Sequence, residues 1–96
     1  MLQKNSNSNP NHIIERIQTG VRMEKKMIKV LKAIAEYHEI SLGDLLEGIV
    51  LYAFEGKSPF QDESINLISE FKKLYKMDYG SEAAHNLIEK DNLHEG

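Results

Sequence analysis

The side chains best suited to chemistry are few, and most of their groupings fail on spacing. His85 and Glu89 stand one helical turn apart, with Glu82 three residues before His85. An imidazole and a carboxylate on one face make a metal-ligand pair, but a metal needs three or four convergent ligands. Two on one terminal helix are better read as solvated side chains, so neither a metal nor another cofactor is expected. His38 beside an apolar stripe suits a cation at a helix end. Gly56-Lys57-Ser58 matches the last residues of a phosphate-binding loop, yet the upstream glycine and the preceding strand are missing. The chain has no cysteine, which excludes disulfides, a thiol nucleophile and cysteine-ligated zinc or iron–sulfur. No nucleophile–base pair stands out in 96 residues, and catalysis is not expected.

What remains is a concentration of cations near the start. Residues 1–40 carry seven lysines and arginines against four acids, net +3. Residues 41–96 carry five lysines against eleven acids, net -6, and together they give the formal charge of -3. Such asymmetry points to a basic functional head on an acidic remainder. The plainer account is a basic helix face that is simply solvated. The length allows one small domain that leans on a partner for part of its core. Residues 1–10 lack the apolar centre of a signal peptide, and no apolar run approaches the roughly 20 residues that span a bilayer. A cytoplasmic protein without a membrane role is the expectation.

The elements that would position these cations follow from periodicity. Residues 1–12 are polar and Asn/Ser-rich and read as a flexible arm. Ile17, Thr19, Val21 and Met23 alternate with Gln18, Gly20 and Arg22, the period of a strand over about Arg16–Met23. Ile13, Ile14 and Ile17 also fit a helix capped by Gly20, the alternative for this stretch. From Glu24 the period is helical, with Met27, Val30, Leu31, Ile34 and Tyr37 as the stripe and Glu24 in the first turn. Ser41 is a natural N-cap with Asp44 three residues on, and Ile40 and Leu45 can staple across it. The helix that follows runs to about Phe54 or Glu55, stopped by Gly56. It is apolar nearly all round, which calls for cover from a second subunit. Ser58, Pro59 and Gln61 predict the start of a third helix carrying Ile65, Leu67, Ile68, Phe71, Leu74 and Tyr75. Ser81 would cap a short fourth, carrying Ala84, Leu87 and Ile88, and the end from Asp91 should fray.

The order strand, basic helix, tight turn, capped apolar helix resembles the ribbon–helix–helix family of small repressors of the Arc and MetJ type. The resemblance rests on Gln18-Thr19-Gly20-Val21-Arg22-Met23, on Met27, Ile28, Leu31, Ala33, Ile34, Ala35 and Glu36, and on Ile40, Ser41, Leu42, Asp44, Leu45 and Leu46. It covers about residues 16–55 and consists mostly of apolar spacing. It implies a mainly α fold with a short N-terminal strand, a helix–turn–helix pair over residues 13–56, and two further helices in an acidic extension over 57–96. It also implies a homodimer whose paired strands enter the major groove of double-stranded DNA. Gln18, Gly20 and Arg22 would face the bases, where Arg can bind guanine and Gln adenine through two hydrogen bonds each. Lys25 and Lys26, with Ser41 and the amides of Leu42 and Gly43 at a helix N-terminus, would take phosphates. Val21, Met23, Leu45, Ile49 and Val50 would form the dimer core.

Two positions depart from the family pattern. Gly20 stands where a polar side chain is usual, and Glu39 where the turn often has Gly. The function expected is sequence-selective DNA binding by a small transcriptional repressor. The alternative is an all-helical oligomerisation module without nucleic acid. The C-terminal extension is expected to keep away from DNA because of its charge and to pack on the second helix through Tyr52 and Phe54. It is also the expected seat of any protein partner.

Overall fold

The computed structural model describes residues 12–90, so the expected arm lies almost wholly outside the described residues, as does the end from Asp91. Three helices of equal length carry the fold: α1 (Lys25–Tyr37), α2 (Leu42–Phe54) and α3 (Asp62–Leu74). A single 3-10 turn follows at Ser81–Ala83. The mainly α class holds, but two features of the expected fold do not. No strand is present among the described residues, and over residues 81–89, where the pattern predicts a short helix carrying Ala84, Leu87 and Ile88, there is only the turn at Ser81–Ala83.

The missing strand has a clear physical reason. A strand satisfies its backbone through a neighbouring strand, and the rest of the described chain is helix and loop. Residues 12–23 make no backbone–backbone hydrogen bond among the described residues. The alternation at Ile17–Met23 does not mark a buried face either: Ile17 is 84% exposed and Val21 75%. The helical alternative over Ile13–Thr19 is also absent.

The core forms where α1 meets both other helices. Val30, Ile34 and Ala35 of α1 and Leu45 of α2 are buried. Leu31, Leu42, Ile49, Phe60, Ile68, Phe71, Tyr75 and Met77 pack around them half-buried. α1 therefore uses two sides of its apolar stripe, one for α2 and one for α3, while α2 and α3 do not pack on each other. This corrects the expectation that α3 lies against α2. Tyr52 is half-exposed and Phe54 81% exposed, and neither meets α3. The reason is geometric. α1 presents an apolar arc wide enough for two neighbours, and the loop from Gly56 to Gln61 lets α3 return to its free side.

The helix boundaries test the sequence signals one by one. Ser41 is the N-cap of α2, its hydroxyl accepting the Asp44 amide at 3.0 Å. α3 begins at Asp62 rather than Pro59, with Gln61 as an N-cap that makes no side-chain hydrogen bond. Ser58 turns inward on its own loop, bonding the Phe60 amide and carbonyl. All three helices end alike. Beyond each C-cap, one residue takes a left-handed conformation: Glu39 (φ 58°), Gly56 (φ 71°) and Lys76 (φ 60°). The next amide reaches back to the carbonyl five residues earlier, Ile40 to Ala35, Lys57 to Tyr52 and Met77 to Lys72, the pattern of a Schellman motif.

Only α2 uses Gly at that position, which is free of the Cβ clash that burdens other residues there. Glu39→Gly and Lys76→Gly should therefore each stabilise the fold by about 1 kcal/mol. Gly56→Ala should destabilise it by a similar amount through backbone strain alone, because a Cβ at Gly56 meets nothing within 4 Å. The midpoints of urea unfolding check all three.

Candidate nucleic-acid interface

The basic head is built on the irregular segment 12–24 and the first turn of α1. Lys25 and Lys26 open α1 and are exposed, and Gln18, Gly20 and Arg22 precede them on the exposed segment. α1 has no acid in its first turn and no cation in its last. Its lysines thus stand at the end where the helix dipole disfavours positive charge. One residue offsets this. Glu24 is the N-cap, and its carboxylate accepts the amides of Lys26 at 2.9 Å and Met27 at 3.2 Å.

Glu24 also receives the hydroxyl of Tyr79, 55 residues away, so the same carboxylate that starts α1 fastens the segment after α3. Partial burial pushes its carboxyl pKa up. The hydrogen bonds from Tyr79 and the two amides outweigh that and hold it below the ordinary carboxylate value. The Tyr79 phenol is pushed up to about 12, first by burial, then by its bond to the Glu24 carboxylate and that carboxylate's charge.

Both arginines of the segment are engaged. Arg16 grips Glu47 of α2 through Nε and Nη2, each at 2.9 Å from a separate oxygen. The bond and charge of Glu47 raise the guanidinium pKa, and the same bond lowers that of the Glu47 carboxyl. Arg22 donates through Nη2 to Glu89 at 2.6 Å. The segment is therefore tied to α2 near one end and to the chain after α3 near the other. The apolar side chains of the segment are left outside: Ile13 and Ile14 before the Arg16 tie are 100% and 58% exposed, and Ile17 and Val21 between the ties are 84% and 75% exposed.

The N-terminus of α2 is open. Ser41 and Gly43 are exposed and Leu42 half-buried. Phosphate there would meet the free amides of Leu42 and Gly43, but Asp44 in the same turn brings an opposing charge. The residues assigned to a dimer core divide. Leu45 and Ile49 are used within the chain, Leu45 buried and Ile49 packed on the core. Val21, Met23 and Val50 remain exposed. Val50 belongs to a second apolar stripe on α2 with Leu51 (63% exposed) and Phe54, one turn beyond Glu47.

The structure thus brings Gln18, Gly20, Arg22, Lys25 and Lys26 into one consecutive stretch, and sets Ser41, Leu42 and Gly43 apart at the far end of α1. Four contact residues escaped the reading of the sequence: Glu24 as a cap, and Glu47, Tyr79 and Glu89 as partners. Glu24 was signalled locally, by an acid immediately before the helical period. The other three act over long chain separations and carry no local signal. His85 and Glu89 are not gathered at a metal site. His85 sits at a left-handed position (φ 67°), Glu89 turns to Arg22, and no cluster of three metal-binding side chains occurs among the described residues. No family model, curated protein or solved structure matches the chain. No helix of the described residues is long and apolar enough to cross a membrane.

Because the Glu24 carboxyl pKa is lowered in the folded chain, its contribution to stability is present above the ordinary value of 4.5 and is lost as pH falls through the lower folded value. Tyr79 has the opposite sense. Its share is present below pH 10 and is lost as pH rises toward about 12. Glu24→Gln should flatten the acid limb of a melting-temperature profile, and Tyr79→Phe the alkaline limb. Glu24→Ala should cost about 1–2 kcal/mol at neutral pH, as loss of an N-cap does.

Proposed function

We propose that this chain is a sequence-selective DNA-binding protein that acts as a homodimer, a small repressor working in the cytoplasm. The observation that carries the reading is the grouping of the exposed cations Arg22, Lys25 and Lys26 about the start of α1. Lys25 and Lys26 oppose the helix dipole, so helix stability does not account for them. Phosphate does, since a duplex presents negative charge along its whole length. Arg22 adds a guanidinium that can bind the acceptor edge of guanine. The ribbon–helix–helix resemblance adds support only through its helical part, since its strand is absent among the described residues.

The dimer is supported by uncovered apolar side chains. Val50, Leu51 and Phe54 on α2 and Ile13, Ile17 and Val21 on the leading segment are exposed in the single chain, and grouped apolar residues of this kind suit a partner surface. Pairing two copies would double the basic head and give it two-fold symmetry, the usual match to a palindromic site.

The deciding experiment is a gel-shift titration of the chain's own promoter DNA against a scrambled duplex over a range of salt. The promoter should bind more tightly, and Arg22→Ala should lose about 1–3 kcal/mol of that preference. Lys25→Ala should weaken both duplexes alike and flatten the salt dependence. Equal binding of promoter and scrambled DNA would exclude base reading.

The dimer has its own check. Leu51 is exposed in the single chain, so Leu51→Glu leaves the chain's own core intact and places an unpaired charge only in a dimer interface. Light scattering should then find a folded monomer where the wild type is a dimer. A wild-type chain that dimerises and ignores DNA would instead be a self-association module, a role in keeping with the ion pairs already made by Arg16 and Arg22.

A further inference from the structure

The segment after α3 carries an acid to the one guanidinium assigned to base reading. Glu89 bonds Arg22 at 2.6 Å, 67 residues away in the chain. Chance contact between two mobile side chains would leave the surrounding segment unattached, and here it is fastened. Tyr79 bonds Glu24 at the start of α1. Leu87 and Ile88 line, with Met23 and Met27, a groove of about 710 Å³ that Arg22, Lys25, Glu89 and Lys90 also line. The Gly80 amide bonds the Glu82 carboxylate at 2.8 Å, stiffening the bend between the Tyr79 anchor and the last residues. The segment therefore runs across the basic head, held at its near end and bearing a carboxylate at its far end.

We propose that residues 79–90 act as an acidic competitor of DNA, with Glu89 occupying Arg22 in the free protein and giving way when DNA binds. This rests on the DNA-binding reading above. A carboxylate offers a guanidinium the negative charge and paired acceptors of a phosphate, and the paired acceptors of the neutral guanine edge. The Arg22 and Glu89 side chains are 84% and 53% exposed. A pair so open to water is weak, so a polyanion displaces it readily. The segment lowers affinity without abolishing it. Its effect should fall on DNA that engages Arg22, because only such a site must displace Glu89 from the guanidinium.

The test uses the full chain and the promoter duplex. Glu89→Gln should tighten binding by about two- to fivefold, the range of an exposed ion pair. Tyr79→Phe, which loosens the anchor while leaving the charge unchanged, should move affinity in the same direction. Glu63→Gln makes the same charge change on α3, away from Arg22, and should leave affinity as it was. In an Arg22→Ala background, Glu89→Gln should have no effect. In the DNA-free chain, the Arg22 Nε–H resonance should shift on Glu89→Gln. Equal gains from Glu89→Gln and Glu63→Gln, or no gain from Glu89→Gln in a chain that binds its promoter, would overturn the competitor and leave the DNA-binding function standing. Failure of every form to bind DNA would overturn the function and the competitor together.

Discussion

The structure depends on α1 burying two sides at once. Val30, Ile34 and Ala35 lie where α2 and α3 converge on α1, and the two outer helices have no packing between them. A short helix is marginal by itself and is held mainly through its apolar face. Here one helix supplies that face for the other two. Loss of contact on either side would leave Ile68 and Phe71, or Leu42 and Leu45, without cover. The Schellman turns after α1 and α2 serve this arrangement by reversing the chain within a few residues, so that α2 and α3 can come back toward α1.

The same helix links the core to the charged head. Its N-cap, Glu24, satisfies two backbone amides, receives Tyr79, and stands between Arg22 and Lys25. That carboxylate makes a first turn bearing two lysines tolerable, because it supplies the negative charge the helix end favours. It also ties the segment beyond α3 to the N-terminal side of the molecule. Residues far apart in the chain, from Arg22 to Glu89, become neighbours around one helix terminus.

Among the described residues only four side chains form the buried core, and the apolar residues left outside it are many. Most of them fall into two groups, one on α2 and one on the leading segment, which the Arg16–Glu47 pair joins, while Tyr37, Ile40, Ile65, Leu74, Leu87 and Ile88 lie elsewhere. Isolated apolar residues on a surface need no account, whereas contiguous ones point to a partner. The basic head and the uncovered apolar surface therefore belong to one question, namely what the molecule meets on that side.

Local signals made several features legible in the sequence. The stripe of α1 apart from the exposed Tyr37, the Ser41 cap, the extent of α2 and its stop at Gly56 depend on neighbours three or four residues away, and appear where the pattern puts them. The candidate interface was legible as a set of cations, since charge is a property of composition. Features resting on long-range contact were not. The alternation at Ile17–Met23 reads as a strand, but a strand exists only where another supplies its hydrogen bonds, and the described chain supplies none. Pro59 suits a helix start, yet α3 begins three residues later, and the expected last helix shrinks to one turn. Which side of α1 receives α3, and which acids reach Arg16 and Arg22, are decided by how three amphipathic faces share one central helix. The sequence by itself determined the helices and the polarity of charge. Only tertiary packing decided the neighbours, because a periodic pattern specifies that a face must be buried and leaves open what buries it.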